Sequence, residues 1–349
     1  MGTFKSDTFS SDGPDAARSA KPERAKASRK IYMETHSSRN APSLQESFTN
    51  LTTGVDLSIC IVTYQACDLL RDCLNSIYEH TLLPLEIIVV DNGSSDGVAE
   101  MVQREFPEVR FIQNDHNAGF TRPMNQALTV SQGRYLLQLN PDTLILSQAF
   151  DRLVEFLDAH PQAGICGPKV LNSDGTLQKP CRRGESRPLA VLSYFSGLSK
   201  IFPKNKRFGE YLMSYMDEDV VHPVAGVAGS CMLIRREVLD QIGYLDERFF
   251  AYQEDADFCF RARQAGWQIY YVPQAQIIHY GSMGGSRVEP YRSIYEWHRS
   301  YFLYYRKNLA KDYFFLFNWF YYLLMLLKLL SSLLINFLRQ DKFAGSRKP

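Results

Sequence analysis

The chain has 349 residues, 45% of them hydrophobic and 22% charged, which is enough apolar material for a folded core and excludes global disorder. Its 39 basic and 38 acidic side chains leave a net charge of +1, without the basic surplus of a nucleic-acid binder. The seven scattered cysteines form no CxxC pair, which argues against a zinc ribbon or a disulfide framework and for a reducing compartment, and the N-terminus has no secretory pattern.

Residues 1–54 are poor in large apolar side chains and lack any period of 2 or 3.6, so they read as a disordered tail. Order begins at Leu57, where LSICIVTY has the apolar, β-branched character of a strand buried on both faces. Leu69, Leu70, Cys73, Leu74, Ile77 and Tyr78 then recur at helical spacing, with Asp68 placed as an N-cap. LEIIVV, VRFIQ, YLLQL and AGICG read as strands, alternating with helices over Val98–Phe106, Pro123–Ser131 and Gln148–Ala159. This alternation predicts βαβ units, a parallel sheet and helices on both faces. Residues 170–222 break the rhythm and read as an irregular insertion near a binding site. GSCMLI resumes as a strand, Arg236–Ile242 and Glu254–Ala265 as helices, and WQIYYV and AQIIH as two further strands.

In an open α/β sheet, ligands bind beyond the carboxyl ends of the strands. LEIIVV is followed there by Asp91-Asn92-Gly93-Ser94-Ser95-Asp96-Gly97, and YLLQL by Asn140-Pro141-Asp142. No GxGxxG follows the first strand and no GxxxxGK[ST] exists, which argues against a dinucleotide cofactor and a P-loop. Asp96 is expected to cap the helix that starts near Gly97. Glu254, Asp255 and Asp257 stand at a helix start, where carboxylates suit the helix dipole, and Asp257 is spaced to pair with Arg261. Trp267, Tyr270 and Tyr271 read as core, and Arg182-Arg183 as solvated loop arginines.

Residues 57 to about 285 resemble family 2 glycosyltransferases of the GT-A fold, most closely the bacterial rhamnosyltransferase-like branch. The resemblance lies in IVTYQ, VVDNGSSDG, Asn117-Ala118-Gly119-Phe120 with Asn125, Leu139-Asn140-Pro141-Asp142, and the long segment from GSCMLIRREVLDQIGYLDERFFAYQEDADFCFRARQAGWQ into IYYVP. It implies a nucleotide-diphospho-sugar transferase fold, Rossmann-like, with a mixed, mainly parallel sheet over 55–285; beyond it, the apolar C-terminal composition makes 286–349 a helical membrane-associating region. The resemblance further implies a donor site at Thr63, Tyr64, Asp91, Asn117, Gly119 and Asn140, and a Mg²⁺ or Mn²⁺ site at Asp142 with His279. The base role falls to the Asp of the Glu254-Asp255 pair. Gln138 and Asn140 leave Asp142 as the single carboxylate of the DxD region; Mg²⁺ needs only one or two protein carboxylates beside substrate phosphates. The expected reaction is inverting transfer of a sugar from a nucleoside-diphosphate donor (dTDP-rhamnose or a UDP-sugar) to a glycan or lipid-linked acceptor in cell-surface polysaccharide synthesis. The competing readings are a sugar nucleotidyltransferase, whose Gly-rich loop is missing, and a catalytically silent membrane-bound binder of glycan or nucleotide.

Tyr313–Leu338 is YFFLFNWFYYLLMLLKLLSSLLINFL, 26 residues interrupted by Lys328. As a helix it would be roughly 39 Å long, enough to cross a bilayer. Asn318, Lys328, Ser332 and Asn336 fall near one stripe, as in a helix lying in the interface. The segment predicts contact with membrane lipid at the cytoplasmic face, either spanning or lying on the surface.

Overall fold

Residues 54–281 and 289–338 are described by the computed structural model of the chain. The expected tail up to residue 53, the boundary expected near residue 285 and the segment after 338 lie outside the described residues.

Strand β1 (Leu57–Thr63) is buried along its whole length, as its unbroken apolar run requires of a central strand. Helix α1 (Cys67–His80) follows and turns Leu70, Cys73, Leu74 and Ile77 inward. Its start is capped from elsewhere: Asp96 Oδ2 accepts the Cys67 N–H at 2.8 Å. Asp96 therefore caps α1 and not the helix next to it in sequence, and Asp68 is a first-turn residue paired with Arg71 at 2.7 Å rather than the N-cap. Next come β2 (Leu85–Asp91), α2 (Val98–Glu105), β3 (Arg110–Gln113), α3 (Thr121–Val130), β4 (Tyr135–Leu139), β5 (Thr143–Ile145), α4 (Ala149–Ala159) and β6 (Ala163–Leu171). The expected insertion holds β7 (Arg182–Arg183), α5 (Pro188–Phe195), α6 (Leu198–Ile201) and α7 (Lys206–Gly209). The chain continues through β8 (His222–Pro223), β9 (Gly226–Val227), β10 (Cys231–Arg235), α8 (Arg236–Ile242), α9 (Glu254–Gln264), β11 (Gln268–His279), α10 (Pro290–Tyr304) and α11 (Phe315–Leu338).

The main sheet runs β3-β2-β1-β4-β10-β6-β11-β5, with β8 also on β11. Strands β3, β2, β1 and β4 are parallel, as are β6 and β11. Strand β10 lies antiparallel between β4 and β6, so the sheet is mixed. Alternation of strands and helices could not reveal this reversal, because the insertion hides the direction in which the chain returns. The two strands expected at WQIYYV and AQIIH are one, β11. Pro273 has no N–H to give the ladder, and the register with β6 shifts between Val272 and Gln276, so the strand passes through an irregularity without stopping.

The aromatic crowding near the C-terminus has a packing cause. Val191, Phe249, Tyr301, Tyr304, Tyr305, Leu309 and Tyr321 form a second core between α5, α10 and α11. Three of its phenols are satisfied internally: Tyr301 and Tyr321 share a hydrogen bond of 2.8 Å, and Tyr305 donates to Asn318 Oδ1.

Candidate active site

The ends of β1 and β2 meet at residues Thr63 and Asp91, which are register partners and both buried. Asp91 accepts the Ser94 N–H at 3.0 Å and the Ser94 hydroxyl at 2.5 Å, an Asx turn that fixes the DNGSSDG loop. Thr63 Oγ1 is buried with no hydrogen-bond partner, and Tyr64 beside it is half-buried. Asn92, one residue beyond Asp91, ties this edge to the next loop: its amide donates to Gly119 O at 2.5 Å. Asn117 Oδ1 accepts the Gly119 N–H at 3.0 Å. Gly119 is at φ +90, and a Cβ there would fall 2.3 Å from Phe250 O. Only glycine permits that approach, through which the Phe120 N–H donates to Phe250 O at 2.7 Å. Asn117 and Gly119 thus join the β2 edge to the loop that leads into α9.

Antiparallel pairing of β5 with β11 sets Thr143 opposite His279 and so brings Asp142 to His279, far apart in sequence. His279 Nε2 lies 3.1 Å from Asp142 Oδ1 and 3.2 Å from Asn140 Nδ2. On the other side of the ring, Nδ1 is 2.8 Å from Gln178 Oε1. The Gln178 amide nitrogen faces Asn172 Oδ1 at 3.2 Å and His279 O at 3.3 Å, so its oxygen is the atom turned to the ring. Nδ1 therefore carries a proton, and Nε2 is the ring nitrogen turned to Asp142, placed either to bind a cation there or, when protonated, to donate to the carboxylate. A lone pair and a carboxylate oxygen at this distance repel one another unless a cation or a proton sits with both. The donor set, one carboxylate oxygen and one imidazole nitrogen, fits Mg²⁺ or Mn²⁺ whose other positions go to phosphate and water. Among the described residues there is no group of three or more His, Cys, Asp and Glu side chains suited to a metal.

Helix α9 opens with the other carboxylates. Asp255 Oδ2 accepts from Arg183 Nη2 at 2.5 Å and from the Gly229 N–H at 2.7 Å. Arg182 and Arg183 are not the solvated arginines expected. Arg182 is buried, bonded to Asp217 O and Met216 O and lying over the Tyr271 ring, and only 12% of the Arg183 side chain is exposed. No hydrophobic period marks this dipeptide, so nothing in the sequence signalled its burial. Asp257 pairs with Arg261 at 2.9 Å as its spacing predicted, and also with Lys307 at 2.7 Å.

The dipeptide Gly229–Ser230 links the two carboxylate groups. Gly229 O accepts from Gln138 Nε2 at 2.9 Å and Ser230 O from the Asn140 N–H at 3.0 Å, while the Gly229 N–H reaches Asp255. A Cβ on Gly229 would come within 2.4 Å of Gln138 Nε2, so any other residue there would push the Gln138 amide away from Gly229 O.

Glu254 differs from its neighbour. Its Oε2 is buried without a hydrogen-bond partner. Burial first, and the adjacent Asp255 charge second, push its carboxyl up to about 8, so that it is protonated at neutral pH. A stability consequence follows. Between its ordinary value near 4.5 and about 8, the folded chain keeps a Glu254 proton that the unfolded chain has lost. The group's contribution is thus most favourable at the acid end of that window and declines as pH rises through it. The melting-temperature difference between wild type and Glu254→Gln should shift against wild type from pH 5 to pH 8; a difference constant with pH would refute the burial of a neutral Glu254.

The fold is that of a GT-A glycosyltransferase. The model of the family described as glycosyl transferase family 2 matches residues 58–243, more than half of the chain, and the protein belongs to that family. The match stops short of Glu254 and Asp255. Among characterised relatives, the chain is similar to N-acetylglucosaminyl-diphospho-decaprenol L-rhamnosyltransferase of Mycobacterium tuberculosis, 28% identical over 261 residues, covering 71% of this chain and 83% of that one. It is also similar to the low-salt glycan biosynthesis hexosyltransferase Agl10 of Haloferax volcanii, 28% identical over 252 residues, covering 71% and 75%. Among solved structures, the mannosyltransferase PcManGT from Pyrobaculum calidifontis, in complex with GDP-Man and Mn²⁺, shares the fold with a TM-score of 0.50 at 17% identity, covering 82% of this chain and 74% of that one.

Proposed function

We propose that this glycosyltransferase moves a sugar with inversion from a nucleoside-diphosphate donor, dTDP-rhamnose or a UDP-sugar, to a lipid-linked glycan acceptor at the cytoplasmic face of the membrane. In this reading residues 55–285 are the catalytic domain and 286–349 the membrane-associating region. The observation that carries the proposal is the Gly229–Ser230 junction, which is bonded to the Asp142 loop on one side and to Asp255 on the other. Leaving group and acceptor can then be served from opposite sides of one short segment.

Asp142 and His279 would hold the cation, with Asn140 and Gln178 orienting the imidazole. A bound Mg²⁺ or Mn²⁺ supplies Lewis-acid stabilisation of the charge that grows on the departing diphosphate. Asp91, Thr63 and Tyr64 face the nucleoside, with Asn117 and Gly119 shaping the same edge. Asp255, held by Arg183 and the Gly229 N–H, accepts the acceptor hydroxyl proton as its oxygen bonds to the anomeric carbon and the bond to the diphosphate oxygen breaks. Protonated Glu254 is available to donate a hydrogen bond to the acceptor. One base without a carboxylate nucleophile gives a single displacement. The similarity to a rhamnosyltransferase acting on a decaprenol-linked sugar supports the donor and acceptor classes.

Thermal denaturation with a panel of nucleoside diphosphates and nucleotide sugars, with and without Mn²⁺, tests this reading. Pyrimidine nucleotides should raise the melting temperature in a Mn²⁺-dependent way; no shift with any of them would count against the donor class.

A further inference from the structure

Helix α11 is apolar and long enough to cross a membrane, yet one face of it is occupied. Tyr321 and Asn336 are buried, Asn318 donates to Ala310 O at 2.9 Å, and Ser332 Oγ is 3.4 Å from His298 Nε2 on α10. The polar stripe foreseen in the sequence therefore faces the protein. At mid-helix, Lys328 Nζ sits 5.1 Å above the Phe195 ring of α5, and Phe195 packs edge-on against Trp297 of α10 at 6.0 Å. A crossing α11 would draw α10, with exposed Arg292 and Arg299, into hydrocarbon alongside it.

The opposite face of α11 is bare: Trp319, Leu323, Leu327, Leu330, Leu334 and Phe337 are each at least half exposed. At the Lys328 edge of the helix, Phe195 stands at the end of a second exposed apolar stripe in the insertion, formed by Leu189, Leu192, Leu198, Ile201 and Phe202. Exposed Lys200, Lys204, Lys206 and Arg207 border that stripe, with no acidic residue between them. An apolar face rimmed by basic side chains is the pattern of an element seated in the headgroup region of an anionic bilayer.

We infer that the protein is monotopic: α11 lies in the plane of the membrane, and the stripe over residues 189–202 is a second seat on the same anionic lipid surface. This inference rests on the membrane reading above and specifies its geometry. It also gives the insertion a task, since β7, which carries Arg183 to Asp255, leads directly into α5. The second seat then brings the acceptor side of the site to the lipid surface.

Two measurements on the full chain test it. Lys311→Cys and Arg339→Cys, polar positions flanking the apolar segment at its two ends, are labelled with an impermeant maleimide in sealed membrane vesicles of known orientation, and the modified peptides are mapped. Labelling of both positions in vesicles of one orientation is expected; labelling in opposite orientations means the helix spans and overturns the inference. Flotation with vesicles of phosphatidylcholine alone, or mixed with phosphatidylglycerol, tests the second seat. Lys204→Glu/Lys206→Glu/Arg207→Glu should weaken binding to the anionic vesicles by about 10²-fold and leave binding to neutral ones unchanged. Ile201→Glu/Phe202→Glu should weaken both. Wild-type flotation of both variants, or dissociation of a dimer by Ile201→Glu/Phe202→Glu with flotation intact, overturns the second seat. The membrane reading itself fails separately, if Leu323→Glu/Leu327→Glu/Leu330→Glu sediments with native membranes like wild type. These side chains are exposed, so the melting temperatures of the variants should match wild type. Truncation before α11 is the poorer test, because it would uncover the Tyr301–Tyr305 core.

Discussion

Asp142→Ala is expected to eliminate the gain in donor affinity that Mn²⁺ gives the wild-type protein. Asp142 is 6% exposed and lies 3.1 Å from His279 Nε2, and no third acidic, histidine or cysteine side chain joins them among the described residues. In the proposed site, loss of the carboxylate leaves only the His279 imidazole of that pair to hold the ion. Gln178→Leu should act on the same site at a distance. It removes the acceptor that fixes the His279 tautomer, and such outer-sphere partners are worth about 10–100-fold in metal affinity. Titration of Mn²⁺ by electron paramagnetic resonance, with and without nucleotide, reads both effects. Unchanged Mn²⁺ binding in Asp142→Ala would mean that the metal is held elsewhere.

Asp255→Asn should preserve shape and donor affinity while lowering turnover by about 10²–10⁴, the usual contribution of a positioned general base. The amide still accepts from Arg183 and the Gly229 N–H but cannot take a proton from the acceptor hydroxyl. Donor affinity should survive because the residues proposed to hold nucleotide and metal lie on β1, β2, the Asp142 loop and β11, not on α9. Glu254→Gln is expected to cost much less, since a neutral amide replaces a carboxyl that is already protonated at neutral pH. Single-turnover kinetics on the two variants separates the roles. A near-native Asp255→Asn beside an inactive Glu254→Gln would reverse the assignment. Activity in both would leave the carboxylates as helix-start residues only.

The parallel half of the sheet was legible because β1, β2 and β4 are continuous apolar runs separated by helices of clear period. The reversal at β10 was not, since strand direction is set by a connection whose sequence has no period. Asp142 and His279 could be nominated from their motifs, but their meeting depends on the pairing of a three-residue strand, β5, too short to leave a pattern. Arg183 was misread for a related reason. Its burial is imposed by Asp255 and Gly229 from distant parts of the chain, and local composition around Cys181-Arg182-Arg183-Gly184 reads only as a polar turn. Asp96 shows the same limit at a helix end: its sequence neighbour is α2, but the N–H it satisfies belongs to α1. The polar stripe of α11 was visible as a stripe, whereas the surface it faces was not.

The measurement that bears most directly on the central claim is product analysis with the full-length protein in lipid vesicles. A polyprenyl-diphosphate-linked N-acetylglucosamine is supplied with Mn²⁺ and, separately, dTDP-rhamnose and UDP-sugars. The expected result is an acceptor heavier by one sugar residue, formed from one donor, with the anomeric configuration inverted relative to that donor and with formation lost in Asp142→Ala and Asp255→Asn. A product with retained configuration, or one formed equally by wild type and both variants, would contradict it.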